Sequence, residues 1–413
     1  MIKRRVVITG LGIVAPNGIG KEAFWQANVN GISGVSVLKH FDTSAFSTKI
    51  AASIHDFDPA QFMVPSVVRR TDRFVHLGIA ASRLALLDSG LNLGREDPKR
   101  IGCIIGSGLG GVLFHEDQIE RACEKGLGRL SPRSVPRITP NAVSGHIAIE
   151  FSLRGPNMTI SAACASGTIA LGEAFRKIEA GGMDLALAGG AEAPLTRFTF
   201  GAYGSLRVLS KRNDSPQEAS RPFDGDRDGM VLGEGAGILI LEELSHALHR
   251  GAPIYAEVIG YGNNSGAYHM VMPLEDGRDV AEVMLAAVRD AGLDLKDIHY
   301  INAHGTATEA GDKAETRAVK ALFGERAYAI PISSTKSMIG HTIGAAGAIE
   351  AGVCCLAIQS GIIPPTINYR KKDPECDLDY VPNHARAVRV ENVLSNSFGF
   401  GSCNACLALK RHG

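Results

Sequence analysis

Met284-Leu285-Ala286-Ala287-Val288-Arg289-Asp290-Ala291-Gly292-Leu293-Asp294-Leu295 echoes an earlier stretch, Leu84-Ala85-Leu86-Leu87-Asp88-Ser89-Gly90-Leu91-Asn92-Leu93. Each is an apolar helical pattern closed by a glycine, and in the earlier copy the spacing of Phe74, Leu77, Ala81, Leu84 and Leu87 predicts a helix from Asp72 that stops at Gly90. Upstream, Val6 to Gly12 is matched by Ile254 to Gly262, an apolar run ending in Gly-x-Gly. Downstream, each copy leads into an apolar strand, Arg100 to Ile105 ending at Gly106-Ser107-Gly108, and Tyr300 to Ala303 ending at His304-Gly305-Thr306. The helix after Cys164 has its counterpart after Gly340-His341, and the strands of Gly233 to Leu241 have theirs in Phe398 to Leu409. The chain therefore reads as a two-fold duplication, residues 1–250 and 251–413. Strands alternating with helices make each half an α/β unit with a mostly parallel sheet.

The 413 residues are enough for two such halves with substantial cores. Basic and acidic residues balance at 43 each, which argues against a nucleic-acid or polybasic membrane partner. The apolar run after Met1-Ile2-Lys3-Arg4-Arg5 stops at Thr9-Gly10, too short for a signal peptide, and no stretch reads as a bilayer span, so a cytoplasmic location is expected. The eight cysteines are scattered and expected to be reduced. Cys403-Asn404-Ala405-Cys406 lies in a terminal strand without a second pair, which speaks against a zinc or redox site.

Gly10-Leu11-Gly12-Ile13-Val14-Ala15 and Gly106-Ser107-Gly108-Leu109-Gly110-Gly111 match the dinucleotide fingerprint letter by letter. Neither has its context: Pro16 and Asn17-Gly18 point to a turn after the first, and no acidic residue ends a following strand after the second. Both read as glycine-rich turns at close backbone approaches. Pro132, Pro136 and Pro140 predict an irregular loop before a helix near Ala142 to Phe151. Val231 to Glu242 reads as a hairpin-like pair of strands.

Three loops carry chemistry-bearing side chains. Thr159-Ile160-Ser161-Ala162-Ala163-Cys164-Ala165-Ser166-Gly167-Thr168 sets Cys164 where a strand, Met158 to Ser161, hands over to a helix. A helix N-terminus favours negative charge, so the thiol pKa is expected to be lowered; the plainer alternative is a small buried core cysteine. His304 follows an apolar strand, and His341 ends Ser333-Ser334-Thr335-Lys336-Ser337-Met338-Ile339-Gly340-His341 just before a small-residue helix. Ligands of open α/β sheets bind beyond the carboxyl ends of strands, where all three loops lie, so they are expected to share one pocket.

These motifs, with Arg221-Pro222-Phe223-Asp224, Gly233-Glu234-Gly235-Ala236-Gly237 and Asn396-Ser397-Phe398-Gly399-Phe400-Gly401, resemble the β-ketoacyl-acyl-carrier-protein synthases of the type II condensing class over essentially the whole chain. The resemblance implies the thiolase-like duplicated αβαβα five-layer fold and a homodimer. It implies that Cys164 accepts an acyl chain from acyl-carrier protein, that His304 and His341 hold a malonyl thioester as it loses its carboxylate, and that the product is extended by two carbons. It further implies that Lys336 keeps the site electropositive, that the N–H groups of Cys164 and Phe400 form an oxyanion hole, and that Phe400 gates the two half-reactions. Thr306 and Thr308 would bond the phosphopantetheine arm, and Leu109 and Tyr203 would lie by the acyl chain. Asn302, Glu350, Ser395 and Asn396 match the surroundings of a structural monovalent cation (sodium or potassium), although a plainly hydrogen-bonded Glu350 fits as well; no other cofactor is implied. Arg69, Arg70, Arg129 and Arg207 are candidates for docking the acidic carrier protein. Where relatives commonly follow the Gly-Phe-Gly turn with Gly-Thr-Asn, this chain has Ser402-Cys403-Asn404, which bears on loop mobility and substrate preference. A cysteine hydrolase would leave the second histidine, the duplication and Lys336 unexplained, a degradative thiolase would need a second catalytic cysteine in the glycine-rich loop, and a chain-length partner subunit would lack Cys164. A ketosynthase subunit of a type II polyketide pathway fits the same residues, and the sequence leaves it open beside fatty-acid elongation.

Overall fold

The computed structural model describes residues 3–413. The first half contributes β1 (Val6–Ala15), α1 (Arg73–Ser89), β2 (Ile101–Gly106), α2 (Ala142–Phe151), β3 (Asn157–Ile160), α3 (Ser166–Glu179), β4 (Leu185–Glu192) and β5 (Gly235–Glu243). The second contributes β6 (Ala256–Ser265), α4 (Arg278–Asp290), β7 (Tyr300–Asn302), α5 (Glu309–Phe323), β8 (Ile332–Ser333), α6 (Ala346–Ser360), β9 (Asn392–Gly399) and β10 (Cys403–Lys410). Strand order is β3-β2-β4-β5-β1 in one half and β8-β7-β9-β10-β6 in the other. Taken in chain order within each half, both are third-second-fourth-fifth-first. The pairing senses repeat too: the third, second and fourth strands run parallel, and the fifth is antiparallel to both of its neighbours. The two first strands join the halves through a short antiparallel pairing, Val6 with Val258 to Ile8 with Ala256.

Helices α1 and α2 cover the outer face of the first sheet, and α4 and α5 that of the second. Helices α3 and α6 pack on each other between the sheets, which gives the five layers. Because α6 is covered all round, every residue from Ala346 to Ile358 is buried. That enclosure explains why Ile343–Ser360 is long and apolar enough to cross a bilayer, against the sequence expectation, while 89% of it lies inside the protein.

Local chemistry sets the helix ends. Asp72 caps α1, its carboxylate accepting from the Phe74 N–H, and Gly90 closes the helix in the left-handed region. Three expectations differ in detail. The Gly10 to Ala15 segment is a continuous strand rather than a turn; a Cβ at Gly12 would lie 1.8 Å from the Ala81 carbonyl oxygen, so glycine lets α1 sit directly on the strand. The Gly106 loop is the glycine-rich turn expected, and it leads into a helix, Val112–Lys125. The proline-rich loop contains a short helix, Ser134–Ile138. Val231 to Glu242 contains a single strand, β5, which begins at Gly235 and is entered by an extended segment in which Leu232 bridges to His341. The first-half partner of the Phe398 strand is therefore β4, and residues 193–234 are inserted between β4 and β5 towards the site.

Candidate active site

Two matching elbows meet at the centre of the molecule. After β3 the chain turns through a short 3-10 segment, Ala163–Ala165, into α3; in the second half Ile343–Ala345 does the same into α6. Ala163 and Ile343 both sit in the left-handed region, at φ 47° and 48°. Such backbone costs on the order of 1–3 kcal/mol, held here by the surrounding packing. The first elbow presents Cys164 and the second Gly344 at the matching position. Ser166 locks the first turn, its hydroxyl donating to the Ala163 carbonyl and accepting from the Ala162 N–H.

His341 comes from the segment before the second elbow. Its backbone is fixed by an isolated bridge, with its N–H donating to the Val231 carbonyl and its carbonyl accepting from the Gly233 N–H. Its Nε2 lies 2.9 Å from the Cys164 sulfur. His304 follows β7, and its ring stands edge-on to His341 with centroids 5.4 Å apart. Glu315 of α5 holds that loop: its carboxylate accepts from the N–H groups of His304 and Gly305 and from the Asn396 amide. One thiol and two imidazoles, far apart along the chain, thus share one cavity of about 150 Å³, which Thr306, Thr308, Tyr203 and Phe400 also line.

Burial dominates the electrostatics. Both imidazoles are held well below the usual histidine range, first by burial and then by the nearby positive charge of Lys336. They are neutral at pH near 7 and can act as N–H donors. The thiol departs from the sequence expectation: burial pushes Cys164 up to about 12, while Lys336 and the N–H groups of Phe400 and Cys164 pull it the other way. Stabilisation of a thiolate comes from these neighbours rather than from solvent. Lys336 is buried and ion-paired with buried Glu350 of α6. Its field lowers both histidines although its charge is matched.

The remaining candidates divide. The Thr306 and Thr308 hydroxyls are 2.9 Å apart on the cavity wall. Tyr203 stacks on Phe400 at 6.3 Å. Leu109 is not among the lining residues; it belongs to the loop after β2, whose Gly108 and Leu109 N–H groups donate to Glu192. A phosphate cradle is thereby ruled out at that glycine loop, since a side chain of the chain already takes its amides. Asn302 Oδ1, Glu350 Oε2, Ser395 Oγ and Asn396 Oδ1 are buried without hydrogen-bond partners, an oxygen-rich donor set that suits a hard cation. Among the described residues no cluster of three or more His, Cys, Asp or Glu side chains has metal-ligand geometry. Arg69, Arg70, Arg129 and Arg207 are all exposed.

Two carboxylates central to this arrangement have no sequence signal. Glu315 lies in Glu309-Ala310-Gly311-Asp312-Lys313-Ala314-Glu315, which reads as a charged helix face. Glu192 ends a buried strand, yet it accepts from Ser107, Gly108, Leu109 and Gly344, tying the first-half loop to the second elbow. Burial raises its carboxyl to about 7 against those donors.

Residues 3–247 match the β-ketoacyl synthase N-terminal domain model and residues 255–370 the C-terminal domain model. The chain is 46% identical over 411 residues to the 3-oxoacyl-acyl-carrier-protein synthase 2 of Coxiella burnetii, covering 100% of this chain and 99% of that one. Its identity with the Synechocystis protein of the same name is 45% over 410 residues, covering 99% of each. Among solved structures it is similar to a type II polyketide ketosynthase in complex with its acyl-carrier protein, with TM-score 0.93 and 34% identity, covering 99% of this chain and 100% of that one.

Proposed function

The chain belongs to the β-ketoacyl synthase family, and from that premise we propose how its pocket extends an acyl chain on acyl-carrier protein. The reaction is the decarboxylating Claisen condensation of fatty-acid elongation, an acyl transfer that yields a β-ketoacyl thioester. The observation that carries the assignment of roles is the placing of His341 Nε2 at 2.9 Å from Cys164 with His304 beside it.

In the first half-reaction the Cys164 sulfur attacks the carbonyl of an acyl-carrier thioester. The new S–C bond replaces the old one, and the proton lost by Cys164 ends on the departing carrier thiol. The oxyanion formed in between is held by the N–H groups of Cys164 and Phe400, each worth on the order of 3 kcal/mol. A covalent intermediate splits one difficult step into two. In the second, a malonyl thioester places its carbonyl oxygen between the two imidazoles, each with its hydrogen on Nε2. The carboxylate leaves as carbon dioxide, and the bonding pair becomes an enolate whose oxygen those donors stabilise. The enolate carbon attacks the acyl carbonyl on Cys164, the C–C bond forms as the C–S bond breaks, and a proton from solvent restores the thiol. Neutral histidines suit this step, because an imidazolium would lose its proton to the enolate.

Thr306 and Thr308 bond the phosphopantetheine arm, Tyr203 borders the acyl chain, and Arg69, Arg70, Arg129 and Arg207 draw in the acidic carrier protein. A monovalent cation held by Asn302, Glu350, Ser395 and Asn396 would give their partnerless buried oxygens a ligand to coordinate; replacing sodium and potassium with tetramethylammonium lowers Tm if it is bound. The working form is a cytoplasmic homodimer of the duplicated halves 1–250 and 251–413. Support for dimerisation is the free edge of β3: Cys103 N–H donates to the Pro156 carbonyl and Ser107 N–H to that of Ile160, so the Asn157 and Thr159 amides point outward beside Ile149, which is 74% exposed.

Incubation with acyl-carrier proteins of graded chain length and malonyl-carrier protein, read by product mass, tests the function. Two-carbon extension of saturated acyl chains is expected. Repeated extension of a poly-β-keto chain instead would assign the protein to polyketide synthesis.

A further inference from the structure

The turn carrying Phe400 is fastened to a neighbouring segment by a residue that its backbone does not favour. Ser402 adopts φ 59°, in the left-handed region where glycine sits without strain. Its hydroxyl donates to the His269 carbonyl at 3.1 Å and accepts from the Tyr268 N–H at 3.4 Å. Its carbonyl accepts from the Gly266 N–H at 2.9 Å, which extends the β6–β10 ladder past Ser265, and the adjoining Gly401 N–H donates to the Met270 carbonyl at 2.8 Å. The segment so held, 266–273, is itself shaped by His269, whose Nδ1 accepts from the N–H groups of Val271 and Met272 at 3.0 Å each. Its residues His269, Val271, Met272 and Pro273 form one wall of the cavity that contains Cys164. On its other side the Phe400 ring stacks on Tyr203, and the turn packs on the Cys164 elbow so closely that a Cβ at Gly399 would lie 3.2 Å from the Cys164 backbone nitrogen, where the Phe400 N–H favours the thiolate.

We propose that Ser402 is a positioning residue: its hydroxyl latches the cavity wall 266–273 to the Phe400 turn, so that seating the wall and setting the Phe400 oxyanion donor are one event. A residue kept in a costly backbone conformation while making two side-chain hydrogen bonds points to a task for that side chain. The wall faces the entering thioester and is largely apolar. The latch therefore links occupancy of the wall by the thioester arm to donor geometry at the sulfur, which places the effect of Ser402 on the chemical step rather than on substrate affinity. This inference rests on the acyl-transfer reading of Cys164 given above.

The test uses the full-length protein with Ser402→Ala, which removes the hydroxyl and keeps the strain, and Ser402→Gly, which removes both and relieves the backbone. Hydrogen exchange of the peptide spanning 264–274 is expected to quicken about tenfold in both variants. The single-turnover rate of Cys164 acylation by an acyl-carrier thioester is expected to fall about tenfold, with the concentration for half-maximal rate changing less than about twofold. Alkylation of Cys164 by iodoacetamide, which needs no oxyanion hole, stays within about twofold of the parent. Unchanged exchange in both variants, or quickened exchange with acylation untouched, overturns the proposal. A parent protein that does not acylate Cys164 at all would instead overturn the function on which the inference rests, so the two failures are distinguishable.

Discussion

Around the Cys164 sulfur stand His341 Nε2 and the N–H groups of Phe400 and of Cys164 itself, set against the burial that pushes the thiol to about 12. The nucleophile therefore depends on preorganised donors, and removing the sulfur removes the reaction. Cys164→Ala is expected to lower condensation by about 10³-fold or more. Cys164→Gln, whose amide imitates an acylated thiol, is expected to keep decarboxylating malonyl thioester, because His304 and His341 are untouched; release of labelled carbon dioxide checks it. Loss of both activities in a folded Cys164→Gln protein would mean that decarboxylation is not assigned to the histidines. Cys164, His304, His341 and Lys336 were legible in the sequence because each sits in a short motif at the end of a strand. The thiol's direction of shift was not, since helix position is visible in sequence and desolvation is not. Glu192 and Glu315 were also illegible, because a carboxylate that binds backbone amides across 84 or 10 residues leaves no local pattern.

At the scale of elements, β1 and α1 show what an apolar glycine strand is for. A Gly12→Ala substitution would drive a methyl group into the Ala81 carbonyl, 1.8 Å away. It is expected to cost about 3 kcal/mol or more, read as a lowered urea midpoint. Read as a turn from sequence, this segment is continuous strand because the facing helix supplies the reason for glycine. The end of β5 makes a second, pH-dependent joint. His246 lies between two carboxylates, with Nδ1 2.6 Å from Glu242 and Nε2 3.0 Å from Glu96. Burial lowers its pKa and the two carboxylates raise it, and the carboxylates win. A raised folded pKa stabilises the protein fully below the unfolded value of about 6.5 and loses that contribution as pH rises through the folded value. The stability gap between the parent and His246→Gln should accordingly be largest under mildly acidic conditions and shrink with rising pH in denaturant titrations; a gap that grows with pH would contradict the arrangement.

The whole molecule is a repeated fold that uses its two copies differently. Both copies build an elbow at φ near 48°, but only the first presents a side chain for chemistry, and the second places glycine opposite it. The duplication was legible because the Leu84 and Met284 segments and their flanking strands recur in order. What fills the space between β4 and β5 was not, since residues 193–234 have no counterpart in the second half. The free edge of β3 gives a prediction at this scale. Thr159→Pro removes an outward amide without touching the pairing to β2 and is expected to convert a dimer into a monomer by light scattering, with far-ultraviolet circular dichroism unchanged. An unaltered dimer would place the interface elsewhere. If one sulfur and two imidazoles act in succession in a single cavity, a chase experiment resolves the two steps. The protein is acylated from an acyl-carrier thioester, freed of excess, chased with malonyl-carrier protein, and followed by the mass of the Cys164 peptide and of the carrier. The prediction is that the acyl mass leaves Cys164 as a β-ketoacyl chain two carbons longer appears on the carrier, and that His304→Ala stops the chase with the acyl group still on Cys164. Acyl mass on another residue, or a chase that proceeds unchanged without His304, would contradict the account.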